Sequence, residues 1–71
     1  MTADYRGAVL AVLAEEGGGP LHWTAIQDLA LKSGYVDPFG DPDVRRHLLS
    51  TIADLVEDGT IRKRGTGVYS L

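Results

Sequence analysis

Apolar residues recur along the chain with a helical period in three separate stretches. In the first, roughly Ala3 to Glu16, Tyr5, Val9, Val12 and Leu13 fall at i, i+4, i+7 and i+8, which is one stripe of a helix. Thr2 or Asp4 is placed to cap its start, and Gly17-Gly18-Gly19-Pro20 ends it. Leu21 and His22, just after the proline, read as a short extended piece or stub of strand. The second stretch runs from Thr24 to Ser33, with Ile26, Leu29 and Ala30 as its buried stripe. Thr24 with Gln27 has the spacing of a capping box, and Gly34 stands where a helix C-terminus wants a left-handed residue. A loop with Pro38 and Gly40 follows, from Tyr35 to Gly40.

The third helix carries the clearest start signal. Asp41 is the expected cap, and Pro42 the first helical residue, where its missing N–H costs nothing. Val44, Leu48, Ile52, Leu55 and Val56 lie on one face over residues 42 to 58, and Gly59 stops the helix. The tail, residues 60 to 71, changes period. Ile61–Arg64 and Val68–Leu71 are strand candidates around Gly65-Thr66-Gly67, which fits a tight hairpin. An isolated hairpin is marginal in water, so this one is expected to pack on the helices. The chain has no internal repeat and no linker.

Three helices, a stub of strand after the first, and a terminal hairpin are the element order of a winged helix-turn-helix domain. The class expected is mainly α with small β, as one domain over residues 1–71. With only 71 residues, such a domain buries about 60% of its unfolded surface, so its stability margin is thin. The chain has no Cys, which excludes disulfides and thiolate metal sites. Two His alone rarely hold a structural metal, so neither a metal nor a cofactor is expected. The hydrophobic fraction of 44% and charged fraction of 24% suit a folded domain. No apolar run approaches the about 20 residues of a membrane span, and the N-terminus, with Asp4 early, does not read as a signal peptide. Those absences favour the cytoplasm.

The sequence resembles the HARE-HTH family, winged-helix modules of bacterial RNA polymerase delta subunits, restriction endonucleases and eukaryotic chromatin proteins. Gly19-Pro20-Leu21-His22-Trp23-Thr24-Ala25-Ile26 is similar to the family's G-P-L-H-[YW]-x-x-I entry into the second helix. Ala30-Leu31-Lys32-Ser33-Gly34 is similar to A-x-x-x-G, and Gly65-Thr66-Gly67-Val68-Tyr69-Ser70-Leu71 to the wing pattern G-x-G-x-[FY]-x-L. The resemblance covers nearly the whole chain and implies the fold more firmly than the activity. Some relatives bind DNA, whereas the delta-subunit module works on RNA polymerase. This chain departs in being the module alone, without an enzymatic or acidic tail, although a fragment of a larger enzyme remains an alternative.

Charge sharpens the functional expectation. The formal net charge is −3, which opposes nucleic-acid binding unless the basic residues cluster. They do cluster. Arg45, Arg46, His47 and Ser50 lie near the start of the third helix, the part that a recognition helix inserts into the major groove. Asp54, Glu57 and Asp58 lie toward its far end. Arg62, Lys63 and Arg64 put three of the seven Lys and Arg residues in the wing, with Arg62 and Arg64 expected on one strand face. Such a wing suits phosphate or minor-groove contact, and equally suits an edge strand guarded against aggregation by charge. The competing view of the helix is a solvated face whose Arg residues pair with Asp41 or Asp43. Trp23 is expected to pack on the core and His22 to bond locally. Double-stranded DNA is the expected partner, with a homodimer supplying two half-sites. Docking on RNA polymerase or another protein assembly is the alternative. No nucleophile–base pair or phosphate loop is evident, so no catalytic role is expected.

Overall fold

The computed structural model describes residues 4–71. The expected Thr2 cap and the expected helix start at Ala3 lie outside them. The elements run α1 (Tyr5–Glu15), β1 (Leu21–His22), α2 (Trp23–Lys32), α3 (Val44–Glu57), β2 (Arg62–Gly65) and β3 (Val68–Ser70). This is a mainly helical architecture with a small three-stranded antiparallel sheet, compatible with a winged helix. Among the described residues no helix is long and apolar enough to cross a membrane.

Asp4 caps α1, its carboxylate accepting from the Gly7 N–H at 3.0 Å. All three helices end in one hydrogen-bond pattern. Gly17, Gly34 and Gly59 donate to the carbonyls of Ala14, Leu31 and Val56, while Gly18, Tyr35 and Thr60 donate to those of Leu13, Ala30 and Leu55. This is the Schellman arrangement, and it satisfies carbonyls that a helix end would otherwise leave unpaired.

Two helix starts differ from expectation. The α2 cap is His22 rather than Thr24: its Nδ1 accepts from the Thr24 N–H at 3.2 Å, and no Thr24–Gln27 box forms. The reason is tertiary. The chain passes from β1 straight into the helix, and the first helical N–H, that of Trp23, donates 2.8 Å to the Gly67 carbonyl in the wing. At α3, Asp41 does make a capping bond, its Oδ1 accepting from the Asp43 N–H at 2.9 Å. Regular helix nevertheless begins only at Val44, with Pro42 and Asp43 in a turn ahead of it. The other Asp41 oxygen is held by Tyr5 and His47, which anchors that turn outside the helix.

The sheet has the order β1-β3-β2. Leu21 pairs with Tyr69 and His22 with Val68, so the stub after α1 becomes an edge of the wing sheet. On the other side Arg62 pairs with Ser70, Lys63 with Tyr69 and Gly65 with Val68. The irregularity between Lys63 and Gly65 leaves Arg64 as an extra residue. With that extra residue, simple alternation no longer fixes the faces of Arg62 and Arg64, which the sequence pattern placed together. The turn narrows to Thr66-Gly67, because Gly65 belongs to β2. Leu71 N–H donates to the Gly18 carbonyl at 2.9 Å and ties the end of the wing to the glycine run.

The core joins Ala8, Val9, Val12 and Leu13 of α1 to Ile26 and Ala30 of α2 and to Val44, Leu48, Ile52 and Leu55 of α3. Val36 from the long loop and Ile61 ahead of β2 complete it. Tyr5, Leu29, Val56 and Trp23 are half-buried against its rim.

Candidate nucleic-acid interface

The seven residues singled out in the sequence, Arg45, Arg46, His47, Ser50, Arg62, Lys63 and Arg64, are all exposed. Their local surroundings divide them into two groups.

Arg46 and His47 have carboxylate partners. Arg46 Nη2 lies 2.8 Å from Asp43 Oδ2, an i,i+3 pair on the first turn of α3. His47 Nδ1 lies 2.6 Å from Asp41 Oδ2. The Tyr5 hydroxyl donates to that same carboxylate, and the Tyr5 and His47 rings meet edge-on at 5.7 Å. Asp41 is thus the hub that joins α1, α3 and the loop between α2 and α3. The Tyr5 hydroxyl bond, then that of His47, holds its carboxyl down to about 2. Burial, followed by the bond to Asp41, pushes Tyr5 up to about 12.

Arg45, Arg62, Lys63 and Arg64 have no carboxylate within ion-pair distance among the described residues. Arg45 leans instead on an aromatic face. Its guanidinium carbon is 5.1 Å from the centre of the Trp23 ring, a cation–π distance. The wing turn rests on the same residues. Gly67 has φ +71°, and a Cβ added there would lie 2.8 Å from His22 Nε2 and 3.3 Å from Trp23 Cδ1. Trp23 therefore stands between the start of α3 and the wing turn. The ring serves three neighbours: the core beneath, Arg45 and Gly67.

The expected local bonding of His22 and core packing of Trp23 are both observed. The bridging position of Trp23 was not evident from the sequence. A Trp at a helix start signals burial, but nothing in the spacing of Trp23 and Arg45 shows that the two meet. The acids Asp54 and Glu57 are exposed near the far end of α3, and Asp58, just beyond it, pairs with Arg6 at 3.1 Å. Hydrogen bonds from Thr60, then from Arg6, lower the Asp58 carboxyl. Ser50 is exposed on α3 without a side-chain partner among the described residues. Among those residues no group of three or more His, Cys, Asp or Glu could hold a metal ion.

Chemically, this surface offers cations rather than a nucleophile. Four unpaired basic groups, one of them the Arg45 guanidinium over an aromatic ring, suit an anionic, planar or phosphate-bearing partner. Comparison with family models, with curated proteins and with solved structures found no match.

Proposed function

We propose that this chain is a duplex-DNA-binding winged-helix module of the HARE-HTH type, acting in transcriptional regulation or nucleoid association. Arg45, Arg46, His47 and Ser50 approach the major groove, and Arg62, Lys63 and Arg64 contact the backbone beside it. One observation carries this reading: Trp23 lies against both Arg45, at the start of α3, and Gly67, in the turn that follows the strand bearing Arg62, Lys63 and Arg64. Carboxylate pairing of Arg46 and His47 does not remove them. The Arg46–Asp43 pair is exposed, so a phosphate can compete for Arg46 at little cost, while His47 keeps its ring about half exposed although its partner Asp41 is largely covered.

The test is an electrophoretic shift on random duplex at about 50 mM salt, where electrostatic binding is strong. The wild type should bind, and the Arg62/Lys63/Arg64 triple Ala variant should lose most of its affinity. No shift with the wild type at that salt rules the reading out.

A second reading is a module that docks on RNA polymerase or another protein assembly. The acidic balance of −3 and the carboxylate partners of Arg46 and His47 favour it. Capture from nuclease-treated lysate separates the two: a protein partner retained after nucleic acid is destroyed supports docking, and loss of everything supports DNA.

A further inference from the structure

Phe39 is the most anomalous side chain of the molecule. It is 98% exposed, while the other large apolar residues among those described are buried, half-buried or less than half exposed. It does not sit on a loose strand of chain. Its N–H donates 2.9 Å to Asp37 Oδ1, and Asp41 N–H donates 3.0 Å to the Asp37 carbonyl. Val36 is buried in the core on one side, and Asp41 is gripped by Tyr5 and His47 on the other. A bulky apolar ring is thus held out to solvent on a braced turn, which lowers the entropy lost when it docks.

The same molecule carries a receptor for such a ring. A shallow hollow of about 450 Å³ is lined by Pro42, Asp43, Arg45, Arg46 and Leu49. Leu49 supplies an apolar floor on the outer side of α3, and two guanidinium-bearing residues form the rim. Asp37, beside Phe39, has no ion-pair partner among the described residues, and Arg45 on the hollow has none either. An apolar ring thus faces an apolar floor, and the unpaired Asp37 carboxylate has the unpaired Arg45 guanidinium as its complement, Asp43 on the same hollow being already paired with Arg46.

We propose that two copies of this chain dock by a two-fold exchange, the Phe39 ring of each entering the Pro42–Leu49 hollow of the other, with Asp37 facing Arg45. Phe39 and Pro42 are only three positions apart, at most about 10 Å of chain. Knob and hollow are neighbours, and a two-fold axis between them satisfies both contacts at once without leaving a free end. The pairing is weak. An aromatic ring buries about 150–250 Å², and two of them with their receptors fall short of the about 1,200 Å² of a stable interface. The inference is independent of the duplex reading and is tested without nucleic acid.

Sedimentation equilibrium on the intact chain should show a monomer–dimer equilibrium, with dimer appearing at about 0.1–1 mM protein, as suits so small an interface. Phe39→Ala, at a fully exposed position, and Leu49→Gln, on the outer face of α3, should each weaken it by about thirtyfold or more, as loss of a central anchor does. An equimolar mixture of the two variants retains one intact knob and hollow, and should associate more than either variant alone. A wild type that stays monomeric over that range overturns the proposal. So does a dimer indifferent to Phe39→Ala, a mixture no better than its components, or growth beyond dimers. Unchanged circular dichroism of both variants ensures that the loss reads the contact and not the fold.

Discussion

Asp41 shows how one side chain can set the pH range of a fold. Its carboxyl is held at about 2, below the ordinary 3.8, because the folded state bonds the charged form through Tyr5 and His47. Folding therefore gains from Asp41 fully above the unfolded pKa, and the gain drains away as pH falls from about 4 to about 2. Tyr5 works in the opposite sense. Its pKa is pushed from 10.0 to about 12, so its contribution is complete below 10 and is lost as pH rises through about 12. The thermal midpoint should therefore hold level near neutrality and fall on both flanks. Asp41→Asn should lower the neutral plateau and flatten the acid flank, leaving the smaller slope due to Asp58, whose carboxyl is also lowered. A calorimetric pH series on both proteins checks this. An acid flank of equal steepness in the variant would show that the hub does not couple the loop to α1 and α3.

Among the elements, the wing depends most on distant contacts. Gly67 takes a left-handed backbone and approaches His22 too closely for a Cβ. Gly67→Ala should cost about 1–2 kcal/mol for the backbone alone. Each kcal/mol lowers the midpoint of a domain this size by about 4–8 °C. On the proposed duplex reading the loss should also show as weaker binding, because the turn rests against Trp23. In α3, Leu48 is fully buried, and Leu48→Ala should cost about 2–5 kcal/mol, enough to leave so small a domain largely unfolded at 37 °C by circular dichroism.

These elements also show which parts of the structure the sequence makes legible. The apolar stripes of α1, α2 and α3, and the glycine stops at Gly34 and Gly59, depend on neighbours within one or two turns, and they were readable in advance. The α2 cap was not, because His22 replaces Thr24 only once Gly67 offers its carbonyl to Trp23. Nor was the pairing of Leu21 with Tyr69, partners 48 positions apart. The bulge at Arg64 escaped because two-residue alternation has no signature for a single extra residue. At the site, exposure of the seven polar residues followed from their positions. Arg46 with Asp43 is a local pair and was anticipated, whereas Arg45 over Trp23 joins two helices and needed the tertiary structure.

For the whole molecule the governing quantity is the separation of charge, because a chain of net charge −3 can hold a polyanion only through a localised patch. If Arg45, Arg62, Lys63 and Arg64 each neutralise about one phosphate, log K should fall against log salt with a slope of about −3.6. Raising salt from about 50 to about 200 mM should then weaken duplex binding about a hundredfold. The triple wing variant, keeping one such contact, should show a slope near about −1 and lose only about three- to fourfold over the same range. The Phe39 exchange adds a second condition. Since Arg45 and Arg46 rim the hollow, the paired molecules cover the start of α3, and pairing excludes the duplex rather than presenting two half-sites to it. A short duplex added to concentrated protein should therefore turn dimers into one-to-one complexes, visible as loss of the dimer boundary in sedimentation. Complexes that keep two docked copies on one duplex would show that the surface used for pairing and the surface used for DNA are different.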